Sequence, residues 1–337
     1  MRIALYAFGL LGLTLFTALF VREGYAAVLQ VLDLAGWPLL WLVPYRLLYF
    51  LLYAVGWRLL LQPYDPQPRV GLSAGPNIGF GYLLWATTVR EAIDRLLPVA
   101  SVGGGVVAVR LLRLRGLPGP AAAATVVMEV MLTVVVLYLF IGLGLVLLAV
   151  GPGAPQAHRL VLAFLLGLPA PVGTVLVLRY GSAFARLQRW LAPVAGKMVK
   201  AEGMEALDRE ILALYQRRLR LALVALLQLA AFISGSFEIW FALRLFHHPV
   251  SVRDALVLES LTQAVRHFAF VVPAGIGVQE AALILFGQAM GIDSHLALAV
   301  SMAKRMRELL CGLPPLLSWQ WLEGRRLGVQ LTRSKAG

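Results

Sequence analysis

Glu129, Glu238 and Glu280, together with the run Lys304, Arg305, Arg307 and Glu308, stand in sequence that is otherwise apolar. A charged group at the middle of a hydrocarbon layer costs roughly 2.5–3.5 kcal/mol on insertion scales. Such residues therefore face one another, a wet cavity or a polar ligand. The chemistry open to them is ion pairing and the gripping of anions, since the planar fork of Arg matches a phosphate. On one helix Lys304 and Arg305 reach Glu308 at i,i+4 and i,i+3. Arg307 lies off that face, so Glu280, Glu129 or a lipid phosphate is its expected partner. Glu129 and Glu238 each read as a lone carboxylate in a span. Each is either a path residue or a neutral acid hydrogen-bonded between helices. For the 304–308 cluster, a purely structural ion pair is the competing reading.

Glu280 follows a stretch that breaks a helix. Pro273 removes a backbone donor and disfavours helix for Val272, while Gly275 and Gly277 permit unusual dihedrals and close backbone approach. Irregular backbone at membrane depth survives only where protein buries it or water reaches it. This motif reads as a re-entrant turn beside a polar cavity, or else as a kink with one snorkelling Glu.

Motifs for covalent chemistry are weak. Gly275-x-Gly277 follows no strand and lacks a third Gly, Ser234-Gly235-Ser236 is not a nucleophile elbow, and no Walker loop occurs. His247, His248 and His267 lack metal-ligand spacing, and the single Cys311 excludes an internal disulfide. No cofactor or metal is expected.

The elements that must position these residues are membrane helices. Of 337 residues, 60% are hydrophobic and 14% charged, against about 25% charged in a soluble domain. The apolar residues come in runs of spanning length, which makes the chain an all-α, polytopic helical membrane protein and a single integral membrane domain over 1–337. Spans are expected at 3–21 (uncleaved), 36–61, 121–150, 160–178, 219–246 and 295–321. The net charge of +13 reads as cytoplasmic Lys and Arg, not as a nucleic-acid surface. Segment 179–218 is a cytoplasmic linker. Its first part, with Arg179, Arg186, Arg189, Lys197 and Lys200 and no acid, reads as an amphipathic helix on an anionic leaflet. Arg90, Glu91, Asp94 and Arg95 read as a solvated or interfacial face of a helix over 80–97.

Placing the basic segments inside puts both termini in the cytoplasm. Segment 80–105 then starts and ends inside, and 250–291 starts and ends outside, so each is re-entrant or crosses an even number of times. The two resemble each other: Pro98 and Pro273 each end a mixed helix and open a Gly-rich break, and each unit is flanked by spans. The expectation is an inverted repeat, with halves 36–150 and 219–322 and two broken-helix elements meeting inside.

Residues 97–104 (Leu-Pro-Val-Ala-Ser-Val-Gly-Gly), with Arg110 following, and 273–280 (Pro-Ala-Gly-Ile-Gly-Val-Gln-Glu) resemble the two signature stretches of a bacterial family. These are the flippase-like membrane proteins related to the transmembrane half of lysylphosphatidylglycerol synthase. The likeness extends to hopanoid-biosynthesis-associated members and covers essentially the whole chain. The family pattern usually has Glu after its first glycine pair, where this chain has Gly105. The resemblance implies an inner-membrane protein that moves or holds a polar-headed or isoprenoid-type (hopanoid) lipid. Its partners would be membrane lipids and, as an option, lipid-synthesis enzymes. On this reading Glu280, Arg305, Arg307 and Glu308 line a lipid path with Pro273, Gly275, Gly277 and Glu238, and Arg110 and Glu129 lie at its cytoplasmic side. A head-group enzyme using Glu280 or Glu129 as general base, and a non-transporting scaffold, are the rivals.

Overall fold

The computed structural model describes residues 33, 35–64, 78–97, 103–150, 154–180, 201–268 and 277–335. The expected span at 3–21, the motif residues Pro98, Pro273 and Gly275, and most of the basic segment (181–200) lie outside them.

Every described element is a helix. In chain order these are α1 (Leu42–Leu61), α2 (Phe80–Leu96), α3 (Gly103–Leu114), α4 (Gly119–Ala149), α5 (Ala154–Gly167), α6 (Pro169–Tyr180), α7 (Ala201–Tyr215), α8 (Arg218–Leu245), α9 (Val252–Phe268), α10 (Val278–Ala289) and α11 (Ser294–Lys335). α1 with its flanking turns, α4 and α8 are long and apolar enough to cross a membrane. α11 is longer still but carries its charged run in its first half. The span expected at 160–178 is two helices, because the chain breaks at Leu168 and Pro169 opens α6.

Local chemistry sets the boundaries. Pro118 and Pro120 start α4, where a missing N–H costs nothing. Ser251 Oγ accepts from the Asp254 amide at 3.1 Å and donates to Asp254 Oδ2 at 2.6 Å, a side-chain cap at the start of α9. α3 takes its cap from another helix: the Gly104 amide donates to Asp94 Oδ1 of α2 at 2.9 Å. Gly277, at φ +79°, turns the chain into α10, a conformation that a side chain disfavours.

One packing scheme occurs twice. α2 packs on α3 and α11, and α9 packs on α10 and α4; α3 lies on α4 as α10 lies on α11, and α1 and α8 pack on each other. Gly103 and Val278, which open α3 and α10, are 175 residues apart, and so are Gly119 and Ser294, which open α4 and α11. At the α4–α9 contact, Gly144 permits a close crossing against Ser260.

Two apolar clusters lie at opposite ends of the bundle. One joins the end of α1 (Trp57, Leu61) to α2, α3, the start of α4 and Leu316 of α11. The other joins the start of α1 (Leu42) to the end of α8, to α9 and α10, and to the start of α11 (Ala297–Ala303). The α2–α3 pair and the α9–α10 pair thus sit at opposite ends, with the charged part of α11 between the clusters. Outward-facing positions are apolar, among them Leu47 and Leu51 of α1, Leu139 and Val146 of α4, and Leu226 of α8. Charges in and long apolar side chains out is the reverse of a water-soluble bundle.

Candidate functional site

α11 supplies the hub. Consecutive helical positions point about 100° apart, so its four charges address different neighbours. Lys304 meets Glu259 of α9 at 2.5 Å. Arg305 meets Glu280 of α10 at 3.0 Å and Glu308 one turn on at 3.4 Å. Arg307 meets Glu238 of α8 at 3.0 Å. Glu308 lies between Arg266 of α9 (3.4 Å) and Arg95 of α2 (3.9 Å).

The chain of contacts continues into α1. Arg46 donates to Glu238 at 3.3 Å and to Glu91 of α2 at 3.1 Å, and Arg95 donates to the same Glu91 oxygen at 2.9 Å. One connected network therefore runs from Arg307 through Glu238, Arg46, Glu91, Arg95 and Glu308 to Arg305 and Glu280. It ties α1, α2, α8, α9, α10 and α11 together. Arg46, Glu238, Arg305, Arg307 and Glu308 are all buried. Such pairs hold because the alternative, an unpaired buried charge, costs several kcal/mol. Neutral polar groups extend the network: Gln279 accepts from Arg266 at 2.6 Å and donates to Ser301, which donates to Glu280. Glu280 sits in the first turn of α10, where the helix dipole favours an anion. Arg46 also lies over the Tyr49 ring, 3.6 Å from its centre.

Several expectations need correction. Arg90, Glu91, Asp94 and Arg95 do not form a solvated face; they turn inward, and Arg90 bonds Glu129 of α4. Glu129 and Glu238 are not solitary, since each is salt-bridged to Arg. Lys304 pairs across helices with Glu259 instead of with Glu308 along its own helix. Arg307 takes neither Glu280 nor Glu129. Arg110 is exposed and pairs with Glu323 of α11 at 2.8 Å. Gly277 is at the start of α10, while Pro273 and Gly275 lie outside the described residues. Arg46 was not singled out in the sequence. Its signal was there: a guanidinium between Tyr45 and Leu47 in an apolar run, the type of residue that marks intramembrane sites.

Between α1, α2 and α11 the network borders a narrow cleft, partly open to the exterior, lined by Arg46, Glu91, Arg95, Arg307 and Glu308 together with Phe50, Thr88 and Cys311. The arrangement offers fixed positive and negative charges in a non-aqueous bundle. Such a site holds and orients ionic groups; no activated nucleophile is in evidence among the described residues that line it.

No curated protein and no solved structure matches the chain. The family model described as the lysylphosphatidylglycerol synthase TM region matches residues 3–314. That match spans the whole described network and the apolar bundle around it, so the chain is a helical membrane protein belonging to the family of the lysylphosphatidylglycerol synthase transmembrane region.

Proposed function

We propose that the protein moves a polar-headed lipid between leaflets of the bacterial inner membrane, with both termini in the cytoplasm. The observation behind this reading is the continuous buried ion-pair network joining two helix pairs at opposite ends of the bundle. A lipid head group crossing a bilayer needs a polar, water-shielded route, and exchangeable ion pairs supply one. The repeated packing scheme and the shared spacing of 175 residues support two related halves, 36–150 and 219–322, of opposite orientation. In that arrangement α2–α3 enters from the cytoplasmic face and α9–α10 from the other, each as a re-entrant pair. Glu280, Arg305, Arg307, Glu308 and Glu238 line the route, and Glu129 buttresses it through Arg90. The lipid is of the phospholipid or hopanoid class.

The test is reconstitution. Proteoliposomes carrying labelled lipid should show leaflet exchange faster than empty vesicles, with the lipid's mass unchanged. Exchange no faster than in empty vesicles would refute transport. A changed lipid mass would replace it with head-group chemistry.

A further inference from the structure

We propose that the cleft between α1, α2 and α11 is an oxyanion site, in which Arg46, Arg95 and Arg307 take one singly charged phosphate group. Three observations point to it. First, among the described residues the charges of the connected network do not balance: five arginines (Arg46, Arg95, Arg266, Arg305, Arg307) share four carboxylates (Glu91, Glu238, Glu280, Glu308). The two side pairs, Lys304–Glu259 and Arg90–Glu129, are each neutral and do not alter that surplus. Asp94 is engaged with the Gly104 amide and makes no salt bridge to any of the five among the described residues. A buried surplus guanidinium calls for an anion.

Second, two of the lining residues carry buried hydrogen-bonding capacity that is unused. Arg46 and Arg307 are 6% and 3% exposed, and the Nε of each has no hydrogen-bond partner. Both side chains line the cleft. An Arg that uses Nη on a carboxylate and keeps Nε free has its second edge available for a bidentate contact.

Third, the cleft is narrow, and its lining includes both partners of the longest contact of the network. The room left there is about that of one water molecule. Arg95 and Glu308, at 3.9 Å, make the longest salt bridge of the set. A phosphate entering from the open side takes Glu308's place at Arg95, while Glu308 keeps Arg266 and Arg305. The single surplus charge fits a phosphodiester, which carries one negative charge, as a phospholipid head group does. The identification of the source as a lipid rests on the lipid-moving reading above; the site itself rests on the geometry.

The full-length protein in maltoside detergent tests it, by thermal melting with chloride as the ionic-strength control. The probes are dimethyl phosphate, inorganic phosphate and short-chain dihexanoyl phosphatidylglycerol. The expected result is a rise in Tm with at least one phosphate probe and none with chloride. Stabilisation by the short-chain lipid alone assigns the source as a lipid head group, and stabilisation by the soluble anions as well assigns the phosphate itself as the recognised group. Arg46→Lys and Arg307→Lys keep the charge but lose Nε and the fork, and at position 46 one ammonium replaces the two Nη groups that reach Glu238 and Glu91. Each should weaken phosphate binding at least tenfold, read as the phosphate-induced rise over that variant's own anion-free Tm. Glu308→Gln, which removes the competing carboxylate, should melt lower without anion and show a larger phosphate-induced rise than wild type. Equal melting in phosphate and chloride, or undiminished binding in both Lys variants, overturns the site. Because binding is read without transport, intact phosphate binding with no lipid exchange in vesicles would refute the transport reading alone.

Discussion

Lys304 and Glu259 form an interior ion pair that no other salt bridge reaches among the described residues, and their side chains are 3% and 2% exposed. Replacing Lys304 with Met leaves the Glu259 carboxylate buried with one remaining donor, Gln263 Nε2 at 2.7 Å. Breaking a buried pair from one side costs about 3–5 kcal/mol, against a typical total stability of about 5–15 kcal/mol. Glu259→Met should cost as much, since it strands the ammonium. The double variant, Met at both positions, removes both charges and keeps the volume, which is commonly neutral or better. Its residual cost is the Gln263 amide left without an acceptor, about 1–3 kcal/mol. The double variant should therefore unfold later than either single one and should still move lipid, because the pair lies beside the network and not in it. Chemical denaturation in mixed micelles, with membrane levels read by blot, measures this directly. A double variant no more stable than the worse single one would show that the two residues do not neutralise each other.

Three further outcomes follow from single contacts. Gly144→Ala places a Cβ 1.7 Å from Ser260 Oγ, so it should cost about 1–3 kcal/mol by overpacking, with partial recovery in a Gly144→Ala, Ser260→Gly double; an unchanged melting point contradicts the close α4–α9 crossing. Gly277→Ala has space around it but must hold φ +79°, which costs about 1–2 kcal/mol, read as a lowered Tm against wild type. Arg110→Ala breaks an exposed pair and should change stability by no more than about 1 kcal/mol while leaving lipid exchange at the wild-type rate; a loss of exchange would return Arg110 to the route.

The helical membrane fold was legible because apolar runs of spanning length admit few other structures. The helix bounds near Pro118, Pro120 and Gly277 were legible for the same reason that they form: proline and glycine act locally. What stayed hidden was the direction in which charged faces look. α2 has a charged stripe with Glu91 and Arg95 one turn apart, and that pattern is identical for a helix lying in the interface and for one facing a polar interior. Only the approach of Arg46 and Glu308, 45 and 217 positions away from Glu91, distinguishes the two. Partner choice was hidden likewise. Local spacing offered Lys304 a carboxylate at Glu308, whereas the fold brings Glu259 closer. Arg307 meets Glu238 from 69 residues away, through the packing of α8 against α11. Arg46 escaped notice because one Arg near the start of a span looks like an interfacial anchor until its acidic partners are in view.

The charges of α11 also bear on how the protein is made. Lys304, Arg305, Arg307 and Glu308 would each oppose insertion of an isolated helix by roughly 2.5–3.5 kcal/mol. Yet Glu238, Glu259, Glu280, Arg95 and Arg266, the partners they meet on other helices, all precede them in the chain. During synthesis those partners leave the ribosome first, so α11 emerges facing a receptor already laid down by α2, α8, α9 and α10. Until then Glu259 and Glu280 wait without their cations, while Glu238 already has Arg46 of α1. Entry of the last helix is thus the step at which the bundle locks, and a nascent chain stopped before Ser294 is the form that quality-control proteases should recognise.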